Sequence, residues 1–284
     1  MLLINRLKET DYMDTNMEQP YLPGFEDYKI ETAEDLIKLD KKLYNNNFYF
    51  QKCIPLIDLI ETYQGEGPNC GKKMVLARFK YCNKHCPFCD TWNMMNDTEK
   101  NLVSLKDIDL MLKSSHNFMI TGGEPTLKNT VSKNSMELPQ FHCTIAMATF
   151  LNYKFLDIET NGFNLKKLIE SVDFIKQNSD KNINISWSPK FINDTDFDEN
   201  IKNVIDCNHE NVTMKVVIGE DMDAYKRFVY KAIFDYGWDN NRLYLMPKGT
   251  TLDEINNSMK SVLSIASDVS CNISTRLHIV HNFK

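Results

Sequence analysis

The chain has 284 residues, a net charge of −6 and an apolar fraction of 42%. The length is long for one compact domain and short for two, and it suits a single barrel-like α/β domain carrying an appendage; the apolar content is enough for a sizeable core. The acidic balance argues against a broad nucleic-acid-binding surface, and no apolar run approaches the ~18–20 residues of a membrane span. Met1 to Leu7 is too short for a secretory leader, and Lys8, Glu9 and Asp11 follow at once, so a cytoplasmic protein is expected. Eight cysteines in that compartment are expected to be reduced, which turns any cluster of them towards metal or redox chemistry.

Residues 1–50 differ from the rest: they are acidic and aromatic, with Pro20, Pro23, Gly24 and the run Asn45–Asn47, and Glu31 to Leu43 reads as a short amphipathic helix. They form an N-terminal extension to a domain spanning 51–284. From Ile54 onward strands alternate with helices. The strands are expected at Ile54–Tyr63, Met74–Lys80, Asn117–Thr121, Lys154–Glu159, Ile183–Trp187, Val212–Ile218 and Arg242–Leu245. The helices are expected at Leu105–Lys113, Glu137–Leu151, Asn164–Val172, Asp198–Cys207, Asp221–Tyr236 and Leu252–Ala266. The strands read as continuous apolar runs, which suits burial on both faces. Alternation with helices implies parallel pairing and an incomplete (β/α)6-type barrel. In such folds chemistry collects where strands end, and Gly122–Pro125, Thr160–Gly162 and Ser188–Lys190 fall there.

Just after the second strand comes Cys82-Asn83-Lys84-His85-Cys86-Pro87-Phe88-Cys89. Three thiolates this close can hold three irons of a 4Fe-4S cubane. The fourth iron is left open, able to chelate the amino and carboxylate groups of S-adenosylmethionine and to deliver the electron that releases a 5′-deoxyadenosyl radical. A zinc knuckle that adds His85 is the competing reading, but structural zinc generally draws on a second close pair. Cys53, Cys70, Cys143, Cys207 and Cys271 are scattered. Lys72, Lys73, Arg78, Lys80 and Lys84 surround the loop, either as a local basic pocket or as a solvated face.

The spacing of three residues and then two, with aromatic Phe88 before the last cysteine, resembles the radical S-adenosylmethionine superfamily. Thr121-Gly122-Gly123-Glu124-Pro125 is similar to that superfamily's glycine-rich segment, which meets the ligand's amino group. Within the superfamily the chain resembles the 7-carboxy-7-deazaguanine synthases. The resemblance is carried by Gln64-Gly65-Glu66-Gly67, Arg78 on the next strand, and Asp90-Thr91 after the last cysteine. It extends through Glu159-Thr160-Asn161-Gly162, Ser188-Pro189-Lys190 and Arg276-Leu277-His278, in family order. It covers the chain from about Ile54 to the C-terminus.

The resemblance implies a lyase of 7-deazaguanine and queuosine biosynthesis. Such an enzyme converts 6-carboxy-5,6,7,8-tetrahydropterin to 7-carboxy-7-deazaguanine with loss of ammonia, using the cluster, S-adenosylmethionine as a regenerated cofactor, and Mg2+. It further implies an electron-donor protein and a homodimer. Gln64 and Glu66 suit the donors and acceptors of the pterin edge, and Arg78 suits the substrate carboxylate unless it pairs with Glu61 or Asp90. By sequence match Thr91 takes Mg2+ and His278 reaches the substrate carboxylate. Gly122, Gly123, Glu124, Glu159, Asn161, Ser188 and Lys190 then hold S-adenosylmethionine.

Departures from the family pattern are Tyr81 in place of glycine before Cys82, Met246 in place of glutamine before Pro247, a segment of about 30 residues between Cys89 and Thr121, and the N-terminal extension. Two other readings remain open on the residues. One is a glycyl-radical activating enzyme, with the same loop but a protein substrate. The other is a non-enzymatic zinc- or iron–sulfur-binding regulator.

Overall fold

The computed structural model describes residues 49, 52–87, 89, 91, 94, 101–128, 137–219 and 223–283. Phe88, Asp90 and all of residues 1–50 except Tyr49 lie outside these, as does the helix expected at Glu31–Leu43. Among the described residues one open sheet runs through the molecule. Its strands are β1 (Ile54–Tyr63), β2 (Lys73–Phe79), β3 (Asn101–Val103), β4 (Asn117–Gly122), β5 (Phe155–Thr160), β6 (Ile183–Trp187), β7 (Val212–Ile218), β8 (Leu243–Pro247) and β9 (Asn272–Ile273), in the order β3-β1-β2-β4-β5-β6-β7-β8-β9. From β2 to β9 every pairing is parallel. The helices are α1 (Leu105–Leu112), α2 (Gln140–Phe150), α3 (Leu165–Gln177), α4 (Asp196–Asp206), α5 (Asp223–Tyr230), α6 (Leu252–Val269) and α7 (Leu277–Val280). The fold is the expected incomplete α/β barrel, with one correction. β1 pairs antiparallel with both β2 and β3, because the link between β1 and β2 is too short for the crossover of a dozen or more residues that parallel strands need.

The helices follow from local chemistry. Ser104 and Thr251 cap α1 and α6 through reciprocal bonds with Asp107 and Glu254, satisfying the first free N–H groups. α2 starts three residues later than expected because Pro139 stands at its N-cap and holds the preceding residue extended. α5 gives way at Lys231–Asp235 to a π-helical turn, and Gly237 (φ +64°) ends it. The core lies between sheet and helices, with Phe79, Phe118, Phe141, Trp187 and Phe228 fully buried. Trp187 stands edge-on to both Phe228 and Trp238. No helix among the described residues is long and apolar enough to cross a membrane.

Candidate active site

The concave face of the sheet opens into a cavity of about 770 Å³. Side chains along a strand alternate between faces, and the strands that line the cavity do so mainly through one parity. Ile60 and Thr62 come from β1, Leu76 and Arg78 from β2, Met119 and Thr121 from β4, Glu159 from β5, and Lys215 and Val217 from β7. Two sets of loops complete it. The cysteine loop, Gly122–Gly123, Thr160–Asn161 and Ser188–Lys190 enter from the C-terminal ends of the parallel strands. Gln64–Glu66 enter from the opposite end, because β1 runs the other way.

Cys82, Cys86 and Cys89 all line the cavity, and Cys89 N–H donates to Cys86 O at 3.1 Å, folding the loop back on itself. Lys84 inside the loop forms an ion pair with Asp196 at the start of α4. The other Asp196 oxygen accepts from Ile192 and Asn193 N–H, so the cysteine loop is pinned to the segment that follows Ser188–Lys190. Burial raises the Cys82 thiol to about 11 and also raises Cys86; a bound metal would have to displace these protons. Among the described residues no three His, Cys, Asp or Glu side chains converge on a point the size of one ion. The donor set suits a cluster: three soft sulfur ligands on one wall of a cavity large enough for a further small molecule.

The glycine segment is fixed by the protein itself. Gly122 has φ +99°, and a Cβ there would lie 2.5 Å from Phe79 N; at Gly123 it would lie 1.8 Å from Tyr81 O. Both glycines therefore let the end of β4 lie against the end of β2. Gln140, unassigned from the sequence, ties this junction: its Nε2 donates to Tyr81 O and to Glu124 O, both at 2.8 Å. Glu124 is fully buried. Its carboxylate accepts from Thr126 N (3.0 Å), Thr126 Oγ1 (2.6 Å), Thr160 Oγ1 (2.7 Å) and Asn161 N (2.7 Å), so it binds the loops after β4 and β5 to each other. Burial outweighs these donors and raises its pKa. Tyr81 directs its hydroxyl to Glu137 (2.9 Å) and is not part of the cavity wall, whereas Met246 is.

The other end of the cavity holds a chain of buried charges. Lys215, 3% exposed, places its ammonium 2.8 Å from Glu66 Oε2 and 2.7 Å from Glu159 Oε1. Arg276 Nε lies 3.1 Å from Glu66 Oε1, with His278 Nε2 at 3.8 Å from the same oxygen. Glu159 also accepts from Gln64 Nε2 (3.1 Å) and Thr121 Oγ1 (2.9 Å). Burial opposes the Lys215 charge, but Glu159 and Glu66 together outweigh it and hold its pKa above the ordinary lysine value. Arg78 forms its ion pair with Asp58 (3.2 Å), not with Glu61, and its Nη1 is 3.4 Å from Thr91 Oγ1. Glu61 pairs with Lys73, so the basic residues near the cysteine loop are largely matched by acids. Lys190 Nζ donates to Ser188 Oγ at 2.8 Å, and Asn161 Nδ2 to Asn83 Oδ1 at 2.8 Å.

The fold thus brings Gln64, Glu66, Arg78, Cys82, Cys86, Cys89, Thr91, Gly122, Gly123, Glu159, Asn161, Ser188, Lys190 and His278 to one cavity and leaves Glu124 outside its lining. Lys215 joins them without having been singled out from the sequence, and Arg276, quoted there only within its C-terminal motif, joins with a role not assigned to it. A lone lysine within the apolar run of β7 was the available signal, since an unpaired buried ammonium is too costly to keep.

No protein-family model matches the chain. A 7-carboxy-7-deazaguanine synthase of Haemophilus influenzae is 37% identical over 126 residues, 44% of this chain and 53% of that protein, so the chain spans about half of that relative's length. The 7-carboxy-7-deazaguanine synthase of Pyrobaculum aerophilum is 21% identical over 238 residues, 80% of this chain and 94% of that protein. The crystal structure of QueE from Escherichia coli superposes with a TM-score of 0.49 at 16% identity, covering 82% of this chain and 98% of that one. These sequence relatives are 7-carboxy-7-deazaguanine synthases, and it is to that group of proteins that the chain is similar.

Proposed function

We propose that the protein is a cytoplasmic radical S-adenosylmethionine lyase that converts 6-carboxy-5,6,7,8-tetrahydropterin to 7-carboxy-7-deazaguanine with loss of ammonia. One observation carries this reading: the three-cysteine loop and the Gln64, Glu66 and Arg78 side chains line a single cavity. When bound, a 4Fe-4S cluster on Cys82, Cys86 and Cys89 together with S-adenosylmethionine supplies the adenosyl radical that starts the ring contraction. Gly122, Gly123, Asn161, Ser188 and Lys190 line the region open to that cofactor, Glu124 supports it from below, and Glu159, bonded to Gln64, stands between it and the pterin. Gln64 and Glu66 read the amino-pyrimidinone edge of the pterin, one as donor and acceptor, the other as acceptor. Arg78 takes the substrate carboxylate, with His278 as the second candidate for it. Thr91, buried beside Arg78, contributes a hydroxyl oxygen to Mg2+, a hard cation that fills its remaining positions with substrate and water. Holding the pterin edge at one end and its reacting carbon towards the cysteine loop at the other converts binding into orientation. The same reading takes residues 51–284 as the catalytic unit, a reducing protein as electron donor, and a homodimer as the assembly.

The test is an anaerobic assay of reconstituted protein with 6-carboxytetrahydropterin, S-adenosylmethionine, Mg2+ and a chemical reductant, read by mass spectrometry. Formation of 7-carboxy-7-deazaguanine is expected. Protein with a full cluster that cleaves S-adenosylmethionine but never consumes the pterin would end the synthase reading and leave a radical enzyme of other specificity, such as a glycyl-radical activating enzyme.

A further inference from the structure

Gln64, Glu66 and Glu159 come from two distant parts of the chain, and all three are organised around Lys215. Its ammonium touches both carboxylates, and Gln64 is held by the Glu159 oxygen that Lys215 also contacts. The two carboxylates share this one ammonium in a buried pocket, and Glu66 has a second cation, Arg276, beside it, so removing Lys215 takes away the cation that balances Glu159. The groups facing Lys215 are Glu66 and Cys70 from the turn after β1 and Asp157 and Glu159 from β5. Arg276 and His278 approach Glu66 from the C-terminal segment. Asp157, one strand position deeper than Glu159, is occupied by Asn69, Asn184 and Ser186. Lys215 therefore stands between a closed polar floor and the open cavity.

We propose that Lys215 is a positioning residue that determines substrate specificity. By neutralising Glu66 and Glu159 together it keeps both as acceptors aimed into the cavity, which then takes a heterocycle whose edge donates hydrogen bonds and rejects one that presents a carbonyl there. This inference rests on the pterin reading above and names the residue that enforces it. A protonated carboxyl would offer a donor as well as an acceptor, and discrimination between an amino and an oxo substituent would fall. The unmade bond and the carbonyl facing a carboxylate are together expected to separate the two ligands by roughly 10- to 100-fold.

The probes are 6-carboxypterin and 6-carboxylumazine, which differ by a 2-amino against a 2-oxo group. Their affinities are measured by fluorescence titration on anaerobically reconstituted protein between about pH 5 and pH 8. Wild type is expected to prefer the pterin throughout. Lys215→Met, which keeps the length and removes the charge, is expected to retain its iron, lose the preference, and bind the pterin more weakly as pH falls. Lys215→Arg, which keeps the charge and changes the shape, should retain the preference. If Lys215→Met alone is unstable, Lys215→Met combined with Glu159→Gln restores the charge balance and leaves Glu66 as the remaining acceptor, so its preference should be smaller than that of wild type. A folded Lys215→Met, or the double variant, with wild-type preference and pH profile would overturn the inference while leaving the pterin reading intact. Failure of wild type to bind either probe would instead overturn the pterin reading.

Discussion

Replacing Glu124 by alanine separates a residue that supports the site from one that touches the cofactor. The side chain is fully buried and accepts four hydrogen bonds from the loops after β4 and β5. Bonds to a charged acceptor contribute ~1.5–3 kcal/mol each in isolation, but the cost of burying the carboxylate offsets much of the sum. Breaking such a buried network typically leaves a net loss of ~3–5 kcal/mol. At ~2–4 °C per kcal/mol for a chain approaching this size, the melting temperature of Glu124→Ala should fall by about 6–20 °C. Glu124→Gln should lose less, because one oxygen still serves three of the donors and only the Asn161 N–H faces an amide N–H, a penalty of ~1–3 kcal/mol. The pH dependence has a fixed sign. Burial raises the folded pKa above the ordinary 4.5, so the folded state holds the proton more tightly. The proton-linked part of the stability that Glu124 contributes is fully present below about pH 4.5 and is lost as pH rises through the raised value, while the hydrogen-bonded part remains. The gap in melting temperature between wild type and Glu124→Ala should therefore be widest in acid and narrow towards neutrality. Thermal scans across pH, paired with calorimetric titration of S-adenosylmethionine, check both. A Glu124→Gln protein with wild-type melting temperature and at least tenfold weaker S-adenosylmethionine binding would refute the supporting role and make the carboxylate a ligand contact.

Cys82→Ala, Cys86→Ala and Cys89→Ala should each prevent stable cluster assembly while Cys53→Ala keeps it; iron and sulfide analysis after anaerobic reconstitution decides, and full iron in Cys86→Ala would dismiss the ligand assignment. Thr91→Ala should weaken activation by Mg2+ without changing iron content, and an unchanged Mg2+ titration would place that metal elsewhere. In Gly65→Ala the new Cβ would lie 2.1 Å from His278 Nδ1, so the C-terminal segment must shift at a cost of ~1–3 kcal/mol. Pterin affinity should fall with iron content unchanged, and equal affinity would show that this segment does not shape the substrate end.

The parallel core was readable because apolar runs and helical periodicity alternate from Asn117 onward. The antiparallel hairpin was readable in principle, since too few residues separate Tyr63 from Lys73 for a crossover, but the strand–helix rhythm of the rest masked it. β3 and β9, with three and two residues, are too short to show a period of two. The cysteine loop was visible because its ligands are contiguous. The roles of Lys215 and Arg276 were not, because they arise only when β7 and the C-terminal segment are folded against Glu66. A trace existed in the inward parity, where Asp157 and Glu159, Asn184 and Ser186, and Thr213 and Lys215 place polar groups at every second position of strands that otherwise read as uniformly apolar. Glu124 shows the reverse limit: its motif marks the right neighbourhood, and only the fold reveals that its lone pairs are taken by the chain.

The reversed direction of β1 has a consequence for how such a protein can diverge. The cysteine loop and its neighbouring loops form one part of the cavity lining, while Gln64–Glu66 and the C-terminal Arg276–His278, packed on each other, form another. Mutations in the hairpin turn and the C-terminal segment can therefore rework the lining of the cavity without passing through variants that lose the cysteine loop. A lineage built on this plan can keep its cysteine loop unchanged while the rest of the cavity lining varies.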